Sequence, residues 1–161
     1  MECGDQQLFY VEGIFIRAYE RTVDVQVKGE TLTFTTTTNE PIIGFCAGDD
    51  VGVAFCEIEG EKKLISMERK GGSALSYVNG EYFADIIFIQ WVNETSFLFD
   101  MYRSPYRDYE IMTTNESFSC ERETTMTVLF VRQDGKNILK KGCCEMKVII
   151  APDSFNQGRS G

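Results

Sequence analysis

Apolar and polar residues alternate with a period of two along most of this chain. No long window repeats apolar residues at the spacing of one helical face, whereas alternating runs rich in β-branched and aromatic residues recur throughout. Successive side chains of a strand point to opposite faces, so such runs are typical of half-buried strands. The pattern predicts an all-β protein with little helix.

The first half of the chain contains two predicted hairpins. Gly29-Glu30 can make the tight reversal of the first hairpin, and Glu59-Gly60 that of the second. Gly71-Gly72-Ser73 then closes this half like a short flexible linker. The four predicted strands span residues 22–28, 31–35, 51–55 and 62–68.

The second half repeats this plan. Tyr-Val-Glu-Gly at residues 10–13 is echoed by Tyr-Val-Asn-Gly at residues 77–80, a displacement of 67 (77 − 10). The alternating run before Gly60 is echoed before Gly135, a displacement of 75 (135 − 60). Between these anchors we expect the second copy to be longer by eight residues (75 − 67). Its predicted strands span residues 83–88, 94–100, 109–113, 124–131, 136–140 and 145–150, with Asp134-Gly135 as a tight turn.

These patterns divide the chain into modules. We expect a first β-barrel-like module over residues 1–72, a second over residues 73–152 and a flexible tail over residues 153–161. Residues 48–55 followed by residues 60–68 resemble the fourth and fifth strands of the OB-fold, a five-stranded Greek-key barrel. That resemblance implies two tandem OB-like barrels. Neither module shows the helix that many OB-folds have between strands three and four, so one fused antiparallel β-sandwich or barrel remains the alternative.

Charge and composition narrow the function classes. The 161 residues include 16 basic and 25 acidic side chains, a formal net charge of −9, which disfavours a phosphate-binding surface. Histidine is absent, which excludes Ser-His-Asp and Cys-His nucleophile chemistry and histidine-ligated zinc. The sequence also lacks the glycine-rich loops that cradle phosphates. We therefore expect no enzyme, no cofactor and no bound metal.

The compartment is predicted from the start of the chain and from the cysteines. The first residues do not resemble a secretory leader, and no apolar run approaches the roughly 20 residues that span a bilayer. We expect a cytoplasmic protein outside any membrane, with its six cysteines reduced. Two N-glycosylation sequons, Asn93-Glu94-Thr95 and Asn115-Glu116-Ser117, would matter only after export and are expected to be fortuitous.

Residues 102–109 have the composition of a protein-binding segment. Tyrosine and arginine dominate the segment, and these residue types combine large contact area with directional donors. The alternative is a hairpin tip whose tyrosines lean on their own barrel. The predicted anchors are Tyr102, Arg103, Tyr106, Arg107 and Tyr109.

Two groups of acidic residues are further candidate contacts for a partner. Glu57, Glu59 and Glu61 alternate across the tip of the second hairpin, and we expect them to form an acidic edge. Asp49 and Asp50 stand where a turn enters a strand, and we expect both to be solvated.

Four function classes remain, the last of them a purely structural subunit. The favoured class is a non-catalytic protein-binding module whose acidic surface recognises a basic protein partner, in the manner of immunity or antitoxin proteins that inhibit toxins. The alternative is a single-stranded nucleic-acid-binding OB-type module that stacks bases on tyrosines, for which the net charge has the wrong sign. An enzyme acting through paired carboxylates is third, and it requires a spacing across a cleft that the sequence does not specify.

Overall fold

The computed structural model describes residues 3–101 and 109–144. In these ranges the chain forms strands and no helix, so the all-β prediction is confirmed, and no helix capable of crossing a membrane occurs there. The predicted strand 145–150 and the predicted tail lie outside the described residues. The strands are β1 Leu8–Ala18, β2 Thr22–Val27, β3 Glu30–Thr35, β4 Asp50–Ile58, β5 Glu61–Arg69, β6 Leu75–Val78, β7 Glu81–Asn93, β8 Ser96–Asp100, β9 Tyr109–Thr113, β10 Thr124–Gln133 and β11 Lys136–Cys144.

The first five strands close into a ring. β1 pairs antiparallel with both β2 and β4, β2 pairs with β3, and β4 pairs with β5. A short parallel pairing of β3 with β5 completes the circuit. Every strand of this ring therefore has two neighbours, although residues 8–13 of β1 pair with β4 alone.

The last five strands close into a second ring with the same order of pairings. β7 pairs with β8 and β10, β8 with β9, and β10 with β11, while β9 and β11 run parallel. β6 pairs with β5 on one side and β7 on the other, so the pairings continue from one ring into the next. The predicted module boundary after residue 72 falls between β5 and β6, and the division into two domains stays a prediction.

Irregularities in the strand registers also recur from ring to ring. The β1–β2 register shifts over residues 15–17, and the β7–β8 register shifts over residues 88–90, 73 positions later (88 − 15). The β4–β5 register shifts between residues 54 and 55, and the β10–β11 register between residues 129 and 130, 75 positions later (129 − 54). Bulges bend and twist a strand, so these corresponding bulges bend the two rings at matching positions. The β7–β8 register has one further shift, over residues 91–93, that β1–β2 lacks.

One predicted correspondence is wrong. Residues 10–13 lie inside β1, whereas residues 77–80 form the end of β6 and the turn that follows it. The bulge displacement of 73 instead matches Tyr10 to Phe83 (83 − 10). The expected eight-residue lengthening therefore does not follow from these anchors. The similarity between residues 10–13 and 77–80 arises from β6, which has no counterpart in the described part of the first ring.

The tight turns follow the sequence closely. Glu59-Gly60 and Asp134-Gly135 reverse their hairpins with positive φ at both positions, as predicted. The first hairpin reverses one residue earlier than predicted, at Lys28 (φ 52°) and Gly29 (φ 83°). Glycine accepts this left-handed backbone without strain, and it occupies the second position of all three turns.

Matching inward positions fill the two rings. The core consists of aromatic and aliphatic side chains that alternate with outward-facing residues along each strand. Burial of these side chains provides the main stabilisation of each ring. The corresponding buried pairs are Phe15 and Phe88, Val25 and Phe99, Phe34 and Met112, Val53 and Val128, and Phe55 and Phe130.

A buried ion pair fastens the first ring where its chain enters β4. Asp49 precedes β4 and Arg69 ends β5, and the two side chains are 4% and 2% exposed. Arg69 Nε donates to Asp49 Oδ2 at 3.1 Å, and the same guanidinium donates to the carbonyl oxygens of Gly44 and Ser73. The prediction of a solvated turn is therefore wrong for Asp49, because Arg69 compensates its burial.

A disulfide takes this place in the second ring. Cys144 stands 75 positions after Arg69 (144 − 69) and is bonded to Cys120 in the segment before β10. A further disulfide joins Cys3 to Cys56 of β4. The prediction of reduced cysteines is wrong for these four, since folding brings together thiols 24 and 53 residues apart. Disulfides are typical of oxidising compartments, which weighs against the predicted cytoplasmic location.

Candidate functional site

Strands β8 and β9 present an apolar surface on the outside of the second ring. Phe97, Phe99 and Met112 are fully buried, so the alternating residues between them face outward. Leu98 lies directly opposite Ile111, and Tyr109 is two positions from Ile111 on the same face. Tyr109 and Ile111 are 48% and 46% exposed. We call Leu98, Tyr109 and Ile111 the β8–β9 face.

The corresponding surface of the first ring is polar. Asp24 lies opposite Thr33 as Leu98 lies opposite Ile111, at displacements of 74 and 78 (98 − 24 and 111 − 33). Thr31 corresponds in the same way to Tyr109 (109 − 31). We call Asp24, Thr31 and Thr33 the β2–β3 face. The same scaffold position is thus hydrophilic in one ring and apolar in the other.

Internal hydrogen bonds satisfy the β2–β3 face. The Asp24 carboxylate accepts a hydrogen bond from the Thr33 hydroxyl at 2.7 Å and another from Arg17 Nε at 3.2 Å. Each oxygen of the Asp24 carboxylate therefore already accepts one hydrogen bond from within the chain. The exposed side chains of the β8–β9 face, Tyr109 and Ile111, offer apolar area and one phenol, whereas Asp100, which lies opposite Tyr109, is buried. Apolar area with a phenol is the composition of a contact surface.

The anchors predicted from the sequence lie in the connection between β8 and β9 and at the start of β9. Tyr109 begins β9 and belongs to the face. Met101, which follows β8, is buried. The other predicted anchors, Tyr102, Arg103, Tyr106 and Arg107, lie outside the described residues. Their role in binding stays a prediction.

The predicted acidic edge is partly neutralised by neighbouring lysines. Lys62 lies across the hairpin from Glu57, with Nζ 3.7 Å from the carboxylate. Lys63 Nζ lies 2.5 Å from the carboxylate of Glu61. Glu59 is exposed at the turn between them. The hairpin tip therefore carries a weaker negative field than the three glutamates alone suggest.

The two neighbouring aspartates lie in different environments. Asp49 is buried in its ion pair and is not accessible to a partner. Asp50, the first residue of β4, is exposed and lines a shallow surface pocket together with Lys70 and Glu12. Only Asp50 of this predicted pair has its side chain at the surface.

A polar cleft lies where the two rings meet. Its volume is 540 Å³, and its walls come from residues 37–41 of the first ring and from β6, β7 and the β10–β11 hairpin of the second. Glu40 crosses the cleft, accepting hydrogen bonds from Arg132 Nε at 3.0 Å and from the Gly135 amide at 2.9 Å. Glu40 and Arg132 are 92 residues apart, so their pairing left no signal in the sequence.

Two tyrosines form the inner wall of this cleft. Tyr82 stacks on Phe130, and its hydroxyl accepts a hydrogen bond from the Ile43 amide of the first ring at 3.0 Å. Burial raises the pKa of the Tyr82 hydroxyl far above its ordinary value, and burial also raises the pKa of Tyr77. Both phenols stay neutral at physiological pH. The cleft therefore contains a structural link between the rings.

No metal-binding cluster accompanies these surfaces in the described residues. The described ranges contain no group of three or more cysteine, aspartate or glutamate side chains arranged to hold a metal ion. Sequence reasoning missed Leu98 and Ile111. The signal available for them was the unbroken apolar runs Phe97-Leu98-Phe99 and Ile111-Met112, which place apolar residues on both faces of their strands.

Comparisons with protein-family models, with characterised proteins and with solved structures find no match for this chain.

Proposed function

We propose that this protein is a non-catalytic binding module of two tandem OB-like barrels, and that its β8–β9 face docks onto a basic protein partner. The observation that carries the proposal is the contrast between corresponding surfaces. The β2–β3 face is polar, and its Asp24 and Thr33 side chains are hydrogen-bonded within the chain, whereas the β8–β9 face exposes Tyr109 and Ile111. Two surfaces on one scaffold, differing only in side chains, point to a specialised second ring.

The order of strand pairings supports an OB-like interpretation. In each ring strand one pairs with strands two and four, and strand three runs parallel to strand five. OB-folds bind their ligands on the surface of strands two and three. In the second ring those strands are β8 and β9, so the apolar face coincides with the surface that this architecture uses for binding.

Charge favours a basic protein over a nucleic acid. The chain has a net charge of −9, which attracts basic partners over long distances and repels phosphates. An inhibitor of a basic enzyme, of the immunity or antitoxin type, is one such module. The two disulfides favour an encounter outside the reducing cytoplasm.

The test converts the β8–β9 face into the residue types of the β2–β3 face. The variant Tyr109→Thr/Ile111→Thr places threonines where the first ring has Thr31 and Thr33. We expect it to fold normally and to bind about 30-fold more weakly, the loss of roughly 2 kcal/mol typical of interface anchors. Proteins captured from the native source on immobilised wild-type chain are identified, and the affinity of the purified partner for each variant is measured by calorimetry.

The matched control replaces an equally exposed aromatic residue outside the β8–β9 face. Phe83 is 48% exposed on the outside of β7, like Tyr109 on β9, so Phe83→Thr should retain the partner. Equal retention by the wild type and by Tyr109→Thr/Ile111→Thr contradicts the proposal. So does micromolar binding of a labelled single-stranded oligonucleotide at low salt, which instead supports the nucleic-acid alternative.

A further inference from the structure

A second apolar surface lies at the opposite end of β8, beside the β7–β8 turn. A groove of 380 Å³ runs between Trp91, Val92 and the turn on one side and Ser117 and Phe118 on the other. The Trp91 ring packs on Phe118 with ring centroids 4.8 Å apart and on Phe97 at 5.5 Å. Trp91 is only half-buried, and Val92 is 50% exposed. The groove thus offers one side of an indole to a ligand.

Asn93 stands on the rim of this groove and begins a sequon. It pairs with Ser96 across the tight β7–β8 turn, and its side chain is exposed. The Asn93 Oδ1 atom accepts hydrogen bonds from the Thr95 amide at 2.8 Å and the Thr95 hydroxyl at 3.2 Å. The turn therefore holds the asparagine and the hydroxyl of Asn93-Glu94-Thr95 together at the surface, as a glycosylation acceptor requires.

The two disulfides indicate a compartment in which N-glycosylation can also take place. Cys3–Cys56 and Cys120–Cys144 form where thiols oxidise, and in eukaryotic cells the same secretory compartment carries out N-glycosylation. The sequon was expected to be fortuitous because export was not expected. The disulfides formed by four of the six cysteines favour an oxidising compartment instead.

We propose that Asn93 is N-glycosylated and that the first N-acetylglucosamine of the glycan lies in the groove against Trp91. A pyranose ring has one face of C–H groups, and covering an indole with that face removes apolar area of both from water. Asn93 and Trp91 both line the groove, although a bulge between them interrupts the alternation of β7, so a sugar attached to Asn93 starts beside the ring.

The transfer needs one external donor, a polyprenyl-diphosphate-linked oligosaccharide, and the membrane-bound transferase that uses it. Asn93 Nδ2 forms a bond to C1 of the first N-acetylglucosamine and loses one proton. The bond from C1 to the phosphate oxygen breaks, and the diphosphate leaves with the electron pair. No oxidant or reductant takes part.

The other sequon provides an internal comparison. Asn115 is also exposed, in the segment between β9 and β10. Ser117 and Phe118 of this segment line the groove but Asn115 does not, so the proposal places only the sugar of Asn93 against Trp91. Any stabilisation specific to the groove should appear with Asn93 alone.

The test uses the full chain secreted from eukaryotic cells behind a cleavable leader, as Asn115→Gln and as Asn93→Gln, each trimmed enzymatically to one N-acetylglucosamine. Trp91 is the only tryptophan, so its fluorescence reports directly on the groove. With the sugar on Asn93 we expect acrylamide quenching of Trp91 to fall at least twofold and the Tm to rise by about 2–4 °C relative to the unglycosylated chain. With the sugar on Asn115 we expect neither change.

Peptide mass spectrometry of the secreted protein measures occupancy at each asparagine. An unmodified Asn93 in chains with intact disulfides overturns the proposal. A sugar on Asn93 that leaves both the acrylamide quenching of Trp91 and the Tm unchanged also overturns the proposal, because such a sugar does not lie in the groove. Equal changes from either acceptor also overturn it.

Discussion

Tyr82 shows how much one side chain contributes to joining the two rings. Its ring packs against Tyr77 of β6 and Phe130 of β10, and its hydroxyl accepts a hydrogen bond from the Ile43 amide of the first ring. Burial raises the pKa of Tyr82 because the phenolate is poorly solvated there. The folded chain consequently keeps a proton that the unfolded chain loses near pH 10.

This linkage fixes the sign of a pH dependence. The contribution of Tyr82 is complete below about pH 10 and is lost as the pH rises from there toward the higher folded pKa. We expect the free energy of unfolding to fall between about pH 10 and 11.5, and to fall less in Tyr82→Phe, which at pH 7 is destabilised by about 1 kcal/mol through the lost hydrogen bond. Urea unfolding at each pH measures both effects.

An exposed tyrosine provides the control. Tyr19 is 51% exposed, so Tyr19→Phe should keep the wild-type pH profile. If Tyr82→Phe and Tyr19→Phe give the same profile, burial of Tyr82 is not the source of the alkaline loss.

At the scale of elements, each ring is fastened at one corresponding point by different chemistry. Arg69 at the end of β5 pairs with Asp49, whereas Cys144 at the end of β11 is bonded to Cys120. Both links hold the fifth strand to the connection that leads into the fourth. Removing one partner of a buried ion pair leaves an uncompensated charge in the interior.

The neighbouring aspartates make this testable. We expect Asp49→Ala to lower the free energy of unfolding by about 3–5 kcal/mol, and Asp50→Ala, whose side chain is exposed, to change it by about 0.5 kcal/mol or less. Urea unfolding of the two variants measures the difference. Similar losses in both variants would show that the Asp49–Arg69 pair does not fasten β5.

The elements were also the part of the structure most accessible from the sequence. Alternation and the Glu59-Gly60 and Asp134-Gly135 turns located the hairpins because those signals are local. The burial of Asp49 depends on Arg69, 20 residues away, and only the β4–β5 pairing brings the two together. Non-local pairing likewise decides which cysteines form disulfides.

The candidate site was predictable only in part, because part of it depends on non-local strand pairing. Composition singled out Tyr109 as a contact residue, and it belongs to the β8–β9 face. Leu98 and Ile111 looked like ordinary strand residues, because which side of β8 and β9 faces outward is settled only when the ring closes. The β2–β3 comparison surface requires the registers of both rings.

In the molecule as a whole, the two rings share one strand arrangement but differ in the role that we assign to each. The first ring has a self-satisfied polar face and holds the second through Tyr82 and the Glu40–Arg132 pair. The second ring exposes the apolar face that we assign to binding. The net charge of −9 acts over the entire surface and steers basic proteins toward it.

Hydroxyl-radical footprinting of the complex with the captured partner tests the assignment most directly. Oxidation of Tyr109, Ile111 and Leu98 is compared in the free and bound protein, with Phe83 and Tyr19 as exposed reference side chains. The account predicts that binding lowers the oxidation rate of the β8–β9 residues several-fold and leaves the two reference residues unchanged. Unchanged oxidation of Tyr109 and Ile111 in a saturated complex would contradict it.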